Sequence, residues 1–292
     1  MITSMVRENI SNLPCFRDVS DVAVLPGGLT NQNFKVTDAI GSYVVRFPSD
    51  VAHLGIDREV ELSCLKNAQS IGVAPHLIYS DTGVLVTSFV EGASLTDETA
   101  NRRDVLYAVV NAFKQLHVPL HDLHGRIFFV SPYRSITEHI RTIRKHIIPI
   151  DGDIEQYSAM TRKLYSSLPP FVPVLCHADL VGGNVIFDGQ KAWLIDWEYA
   201  GMGDPLFDLG WFAVANNLSE DSCRLMLESY YGKQDKQTWS SFNAMRILCA
   251  LRDALWGVVQ THGSALDLDY GEHARKYFAV YEELIEAGSI DI

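Results

Sequence analysis

The sequence predicts an α+β protein of two lobes, a small β-rich lobe followed by a larger helical lobe. Short β-prone runs separated by glycine-containing turns make up most of residues 22–89. Beyond them, apolar residues recur at helical spacing, and one Asp-Gly turn between two apolar runs indicates a hairpin inside the helical part. We place the lobe boundary after residue 92, so the lobes span residues 1–92 and 93–292.

The small lobe is predicted to contain three strands, one helix and one hairpin. The strands are VAVLP, NFKV and SYVVRFP, at residues 22–26, 33–36 and 42–48. The helix, IDREVELSCLKNAQSIG, has Leu62 and Leu65 at helical spacing. The hairpin at residues 76–89 turns at Asp-Thr-Gly. The polar segment EGASLTDETA, residues 91–100, is interpreted as the connection between the lobes.

The larger lobe is predicted to be built from helices with one apolar face. In the first of them, Leu106, Val109, Phe113 and Leu116 form a single apolar stripe. Stripes of this kind are typical of the core of a helical domain. The predicted helices span residues 101–117, 135–148, 224–231, 237–259 and 273–287.

Composition excludes several classes of protein. The chain has 292 residues, 47% of them hydrophobic, and a formal net charge of −12. An acidic surface argues against a nucleic-acid partner and against anionic membranes, and is compatible with a cationic small molecule. No apolar run is long enough to predict a membrane span, and the N-terminal segment lacks the apolar region of a signal peptide.

The five cysteines indicate neither a zinc site nor a disulfide framework, because they are scattered and odd in number and form no CxxC pair. Reduced thiols in a cytoplasmic protein are the expectation. The sequence leaves the oligomeric state open. The cysteines are Cys15, Cys64, Cys176, Cys223 and Cys249.

The segment LCHADLVGGN, residues 175–184, leads into the hairpin of the larger lobe. That hairpin consists of VIF, the turn DGQK and AWLID. Pairing across this turn is predicted to place Asn184 opposite Asp196 at the open end of the hairpin. Asp179 lies in the loop that feeds the first strand. One cluster is therefore predicted to hold two carboxylates and one amide oxygen.

These oxygen ligands suit Mg²⁺, and Asn184 and Asp196 are the candidate ligands. Asp179 would then be free to orient a hydroxyl nucleophile and accept its proton. His177 is expected to support this catalytic loop by hydrogen bonds. The spacing H-x-D-x4-N, followed by an Asp at the end of the next strand, is that of a kinase catalytic loop and its metal-binding Asp.

A phosphate-binding side is predicted in the small lobe. Arg46 lies in the predicted strand SYVVRFP and is placed where a kinase needs a cation for the α- and β-phosphates. Glu61 is the favoured partner that would orient Arg46, with Glu59 as the alternative. A double-glycine turn would let backbone N–H groups approach phosphates, and neighbouring side chains would add donors. These residues are Gly27, Gly28, Thr30, Asn31 and Asn33.

Six segments of the chain resemble the choline/ethanolamine kinase family, a branch of the aminoglycoside-phosphotransferase and protein-kinase-like superfamily. The resemblance extends from about residue 25 to residue 275, and LIDWEYAGMGDP is its most specific part. It implies a bilobal protein-kinase-like fold whose small antiparallel β-sheet lobe binds the nucleotide and whose larger helical lobe carries catalysis and the acceptor. The segments are GGLTNQNF, YVVRF, DREVE, CHADLVGGN, LIDWEYAGMGDPLFDLG and DALWGVVQ.

The same resemblance implies Mg-ATP as the donor and the hydroxyl of an amino alcohol as the acceptor. It implies Asp179 as the base, Asn184 and Asp196 as metal ligands, and Arg46 with Glu61 at the ATP phosphates. It also implies an adenine-binding hinge, formed by Ser88, Phe89 and Val90.

For the acceptor, a quaternary ammonium needs aromatic faces and nearby carboxylates. Glu198 and Tyr199 follow the metal-binding Asp directly and are expected to face the same cleft, while Trp256 and Tyr270 occupy family-like positions. Trp211 is expected in the core. The family often has Trp-x-x-Trp in the helix of Trp256, whereas this chain has Val259 as the second residue of that pair.

Because Val259 departs from the family pattern, the sequence does not fix the acceptor. The acceptor is expected to be choline or a related amino alcohol, with ethanolamine, thiamine or an aminoglycoside as alternatives. A third reading is an ATP-binding protein of this fold without catalytic activity. Against it, the chain retains all four polar residues of the kinase set, Arg46, Asp179, Asn184 and Asp196.

Overall fold

The structure is a computed structural model that describes residues 4–26, 31–48, 56–117, 123–233, 235–263 and 269–287. Its buried apolar residues form a smaller hydrophobic cluster in the N-terminal sheet and a larger one that extends through the helical part. The mixed α and β architecture confirms the predicted α+β class.

The N-terminal sheet is five-stranded and antiparallel, with the strand order β1-β2-β3-β5-β4. Alternating residues such as Val36, Val45 and Val86 point into the small core. Ile10 of helix α1, Ser4–Ser11, packs there too, and this helix is absent from the sequence-based expectation. The strands are β1 Asp21–Leu25, β2 Asn31–Thr37, β3 Ser42–Pro48, β4 Leu77–Asp81 and β5 Val84–Ser88.

Helix α2, Arg58–Ser70, links the two parts of the molecule. Asp57 caps it by accepting hydrogen bonds from the backbone N–H groups of Glu59 and Val60. The buried face of α2, including Cys64 and Leu65, belongs to the larger cluster rather than to the sheet's own core. Side chains in the first turn of α2 are thereby held between the sheet and the helical part.

The remaining elements form the helical part with three short strand pairings. Helix α9 is its central element and packs against α5, α6, α7 and α10. No helix among the described residues is both long and apolar enough to cross a bilayer. The helices are α3 Asp97–Ala100, α4 Arg103–Leu116, α5 Pro132–His146, α6 Ile154–Ser167, α7 Pro205–Ala215, α8 Glu220–Tyr231, α9 Lys236–Gly263 and α10 Tyr270–Glu286. The strands are β6 Ala93–Ser94, β7 Val174–Cys176, β8 Val185–Phe187, β9 Ala192–Leu194 and β10 Gly201–Gly203.

The segment interpreted as a plain connection, residues 91–100, contains regular structure. Strand β6 pairs with β8, so the hairpin becomes a three-stranded sheet. Thr96 then starts α3 with a reciprocal capping box to Thr99. The polar residues that resemble loop residues in the sequence are capping residues in the structure. The division of the chain after residue 92 stays a prediction.

The hairpin of β8 and β9 forms as predicted, but its register differs by one residue. The backbone N–H of Asp188 donates to the carbonyl of Lys191 at 3.1 Å, which closes the turn between these two residues. Ile195 N–H donates to the Asn184 carbonyl at 3.0 Å, so Asn184 lies opposite Ile195. Asp196 is the next residue, beyond the last pair, and has a left-handed backbone with φ of 66°.

Candidate active site

The loop that carries Asp179 leaves the end of β7 and is fixed by one buried side chain of α7. Asp208 is fully buried, and its two carboxylate oxygens accept hydrogen bonds at 2.8 Å from the backbone N–H groups of His177 and Ala178. Asp208 also contacts Nε2 of His117 at 3.0 Å. Because each oxygen has a backbone donor, Asp208 fixes both peptide N–H groups at the start of the loop.

His177 supports the same loop through its ring, as the sequence predicts. Its Nε2 donates to the Ile195 carbonyl at 2.9 Å, and its Nδ1 accepts from the backbone N–H of Asp179 at 3.3 Å. Burial lowers the pKa of His177, which keeps the ring neutral and suits one donor and one acceptor nitrogen. The His177 ring therefore ties the loop to the segment that follows β9 and carries Asp196.

Asn184 and Asp179 lie in direct contact. The Asn184 Nδ2 donates to the backbone carbonyl of Asp179 at 2.8 Å and to its Oδ2 at 3.0 Å. A 3-10 turn, Gly182–Asn184, brings the two together, and a Cβ at Gly182 would lie 2.5 Å from the Leu95 carbonyl. With its amide nitrogen used in this way, Asn184 retains its side-chain oxygen for a ligand.

The pKa of the Asp179 carboxyl is raised towards neutral pH. Burial raises its pKa to about 6, with Asp253 and Glu198 adding to the rise and Arg252 opposing it. A carboxylate with this pKa is a better proton acceptor than an ordinary solvated one.

Arg46 bridges the small sheet to the Asp196 end of the hairpin. Its Nη1 contacts Asp196 Oδ1 at 2.8 Å, and its Nη2 pairs with Glu61. The predicted pairing with Glu61 is confirmed, and the alternative Glu59 is exposed on the outer face of α2. Two separated parts of the chain are thus joined by one buried guanidinium.

Three carboxylates meet beside Arg46. One oxygen each from Glu61, Asp196 and Glu198 lies within 4.8 Å of the others. Burial raises the pKa of Asp196 to about 7, Arg46 opposes the rise, and Glu198, Glu61 and Asp179 add to it. Like charges this close favour a bound cation, because a cation offsets their mutual repulsion.

Arg58 is a member of this cluster that the sequence interpretation missed. Its Nη1 lies 2.8 Å from Glu61 and 2.9 Å from Glu198. The only signal in the sequence was its position three residues before Glu61 in a helix, a spacing that brings side chains together.

Glu198 contacts residues of the predicted phosphate side. It was expected to line the acceptor pocket, but its Oε2 accepts from Asn31 Nδ2 at 3.3 Å and pairs with Arg58. Trp197, between Asp196 and Glu198, is buried and packs on the His177 ring at 4.6 Å. One carboxylate oxygen of Glu198 lies in the cluster beside Arg46, and its expected role in the acceptor pocket stays a prediction.

The aromatic residues predicted for the acceptor come together at the start of α10. The rings of Trp256 and Tyr270 are 5.5 Å apart, edge to face. The second ring beside Trp256 is His273, at 5.1 Å, which the sequence interpretation did not include. Val259 packs against the core and does not add a further side chain to this group of rings.

Two further aromatic residues border this region. Trp211 is buried in the core, as expected. Burial raises the pKa of Tyr199, and the charges that act on it are Glu198, Asp179, Asp196 and Arg252. Tyr199 is therefore close enough to these charges to be affected by them, and its expected place in the acceptor pocket stays a prediction.

The nucleotide side is described in part. Gly27, Gly28 and Thr30 lie outside the described residues. Asn33 is the cross-strand partner of Arg46, which puts it on the same face of the sheet.

The predicted hinge follows β5 directly. Ser88 Oγ accepts from the His76 N–H at 3.0 Å, and the Phe89 N–H donates to the Ser42 carbonyl at 3.0 Å. Lys35 Nζ lies 3.7 Å from the centre of the Phe89 ring. Val90 then leads towards β6. The adenine-binding role of Ser88, Phe89 and Val90 stays a prediction.

Comparison with known proteins gives one family match over most of the chain. The family described as "Phosphotransferase enzyme family" matches residues 21–244. Protein LicA of Haemophilus influenzae is 25% identical over 273 residues, covering 89% of this chain and 78% of that protein. Ethanolamine kinase 2 of Rattus norvegicus is 26% identical over 273 residues, covering 81% and 69%.

Among solved structures, the fold is similar to that of a choline/ethanolamine kinase family protein from Mesorhizobium loti. The TM-score is 0.84 at 24% identity, and the match covers 98% of this chain and 95% of the other. The bilobal architecture expected from the sequence is therefore confirmed at the level of the fold.

Proposed function

Because the chain belongs to the phosphotransferase enzyme family, we propose that it is a kinase that transfers the γ-phosphoryl group of Mg-ATP to the hydroxyl of choline or ethanolamine. The resemblance identified in the sequence is confirmed by relatives and solved structures of the choline and ethanolamine kinases. The chain is an ATP-dependent phosphotransferase that acts on an alcohol group of a small molecule. The identity of the alcohol and the use of Mg²⁺ belong to the proposal.

The contact between Asp179 and Asn184 carries the proposal. It joins a carboxylate with a raised pKa to an amide whose oxygen is left for a ligand. Asp179 is assigned to accept a hydrogen bond from the acceptor hydroxyl and to hold it in line with the γ-phosphoryl group. Most of the catalysis in phosphoryl transfer comes from such positioning and from charge neutralisation.

The donor set fits Mg²⁺ and nucleotide phosphates. Hard oxygen ligands are available from Asn184, Asp196 and Glu198, and the close carboxylates favour a divalent cation. When bound, Mg²⁺ would neutralise charge on the phosphates. Arg46 Nε is buried and has no hydrogen-bond partner among the described residues, and a phosphate oxygen would supply one.

A cationic amino alcohol suits the acceptor side. Trp256, Tyr270 and His273 form a group of rings next to the carboxylate of Asp253. A cation over a desolvated aromatic face gains on the order of 2 kcal/mol. The names of the relatives support choline and ethanolamine equally, and thiamine and an aminoglycoside stay as alternatives.

The proposed function is tested by measuring ADP release with Mg-ATP and a panel of choline, ethanolamine, thiamine and an aminoglycoside. We expect turnover on choline or ethanolamine to exceed the rate without acceptor. Turnover only on thiamine or the aminoglycoside would keep the reaction and refute the acceptor. Stabilisation of the protein by Mg-ATP without turnover on any acceptor would support the catalytically inactive alternative.

The position of Glu198 leads to a prediction about the metal. Glu198→Gln is expected to raise the Mg²⁺ concentration that gives half-maximal rate by about tenfold, because it removes one charge from the carboxylate cluster. The KM for the acceptor is expected to stay unchanged. Glu59→Gln, an exposed glutamate on α2, is the matched control. A raised acceptor KM with unchanged Mg²⁺ dependence would restore Glu198 to the acceptor pocket.

A further inference from the structure

Arg252 of α9 is a largely buried cation that none of the proposed roles uses. Its guanidinium lies 4.4 Å from the centre of the Trp211 ring and 5.1 Å from that of Phe207. Only 13% of its side chain is exposed. A charge in such surroundings is costly unless it is paired and hydrogen-bonded, so its partners indicate why it is there.

One partner is the next residue of the same helix. Arg252 Nε and Nη2 contact Asp253 Oδ2 at 2.7 and 2.6 Å. Consecutive residues of a helix do not normally face each other, so both side chains turn towards one point to make this pair. The Asp253 carboxylate fixes the plane of the Arg252 guanidinium. Nη1 takes no part in this pair and is left to donate to another acceptor.

The other partner is the catalytic loop. Arg252 Nη1 donates to the backbone carbonyl of Ala178 at 3.0 Å. Ala178 has a φ of 62°, a left-handed conformation that is unfavourable for a residue with a Cβ. Such a conformation persists only where the surroundings hold it. Here Asp208 holds the N–H of Ala178 and Arg252 holds its C=O.

The Ala178 carbonyl belongs to the peptide group that enters Asp179, so its orientation sets the direction of the Asp179 side chain. We propose that Arg252, itself fixed by Asp253, is a positioning residue that holds the Ala178–Asp179 peptide group and thereby aims the Asp179 carboxylate at the acceptor hydroxyl. This inference rests on the proposed function only in taking Asp179 as the group that meets the acceptor. Arg252 does not bind the acceptor, because its side chain is engaged by Asp253, the loop carbonyl and two aromatic rings.

The test compares Arg252→Met with Arg246→Met, a matched control on the same helix. Met keeps an unbranched side chain against Trp211 and removes the donors. Arg246 is also partly buried and lies over an aromatic ring, but its hydrogen bond goes to Asn243 of its own helix. We expect Arg252→Met to lower kcat about 100-fold, the size of effect that a misplaced catalytic group produces. The KM values for acceptor and nucleotide are expected to stay within about threefold of wild type, because Arg252 is assigned no contact with either substrate.

Arg252→Lys gives a second measurement in case the Met variant does not fold. Lys keeps the buried charge but cannot contact Asp253 and Ala178 at once in a fixed plane, so its kcat is expected to fall between those of wild type and Arg252→Met. Wild-type kcat in both Arg252 variants, or a higher acceptor KM with unchanged kcat, would overturn the proposal.

A measurement without an acceptor separates this proposal from the proposed function. Hydrogen exchange of a peptide covering residues 174–181 is expected to be faster in Arg252→Met than in Arg246→Met, because the loop loses the hydrogen bond to the Ala178 carbonyl. Equal exchange in the two variants would refute the anchoring role even if wild type turns over no acceptor in the panel. Faster exchange in Arg252→Met would support the anchoring role even if no acceptor of the panel is turned over.

Discussion

Asp179→Asn is expected to lower kcat about 1000-fold, within the range for loss of a positioned proton acceptor. Nucleotide affinity should change little, because Asn184 can still donate to the side-chain oxygen of Asn at position 179. The measurement is ADP release in the presence of the preferred acceptor, together with nucleotide binding by calorimetry. Asp221→Asn, an exposed aspartate in the first turn of α8, is the control and should keep full activity.

The same substitution should not destabilise the protein. The pKa of the Asp179 carboxyl is raised to about 6 in the folded state, mainly by burial. Its ionised form is therefore less favourable in the folded protein than in the unfolded chain, and this cost is present at neutral pH. A neutral Asn avoids the cost, so the melting temperature at neutral pH is expected to equal or exceed that of wild type. Turnover above a tenth of the wild-type rate would exclude Asp179 as the proton acceptor.

Asp208→Ala is expected to have the largest effect on stability. It leaves the backbone N–H groups of His177 and Ala178 and the ring of His117 without their buried acceptor. Breaking a buried, hydrogen-bonded charge of this kind costs about 3–5 kcal/mol. The free energy of unfolding, from denaturant titration monitored by tryptophan fluorescence, should fall by that amount, and activity should fall with it because the loop loses its anchor.

Tyr230→Phe provides the graded control for Asp208. It removes one hydrogen bond, between the Tyr230 hydroxyl and His117 Nδ1 at 2.9 Å, and leaves the carboxylate in place. Its cost is expected to be about 1 kcal/mol, the net value of one hydrogen bond. If Asp208→Ala cost no more than Tyr230→Phe, Asp208 would not be the anchor that its contacts indicate.

Much of the candidate site could be predicted because its parts are close in the sequence. His177, Asp179 and Asn184 lie within one loop, and Asp196 follows across a single hairpin whose turn residues are easy to recognise. The register was nevertheless wrong by one residue, since the turn closes between Asp188 and Lys191. The roles assigned to these residues stay predictions, whereas their proximity and the hydrogen bonds of His177 are features of the structure.

The residues and contacts that the sequence interpretation missed are those whose partners come from distant segments. Arg58 meets Glu198 across 140 positions of the chain, and Arg252 reaches Ala178 across 74. His273 joins Trp256 from the following helix. No periodicity or local spacing encodes such pairs, because they depend on how whole helices pack rather than on the residues next to each one.

The sequence by itself determined the two-part α+β architecture through strand alternation, helical apolar stripes and turn residues, which act over a few neighbouring positions. The phosphotransferase family followed from the resemblance of its motifs, and the closeness of His177, Asp179 and Asn184 from their place in one loop. Only the tertiary structure decided that Glu198 pairs with Arg58, that Asp208 and Arg252 hold the two ends of Ala178, and that α2 joins the larger core. Buried charges are stable only beside partners, and those partners come together only when the sheet and helices have packed.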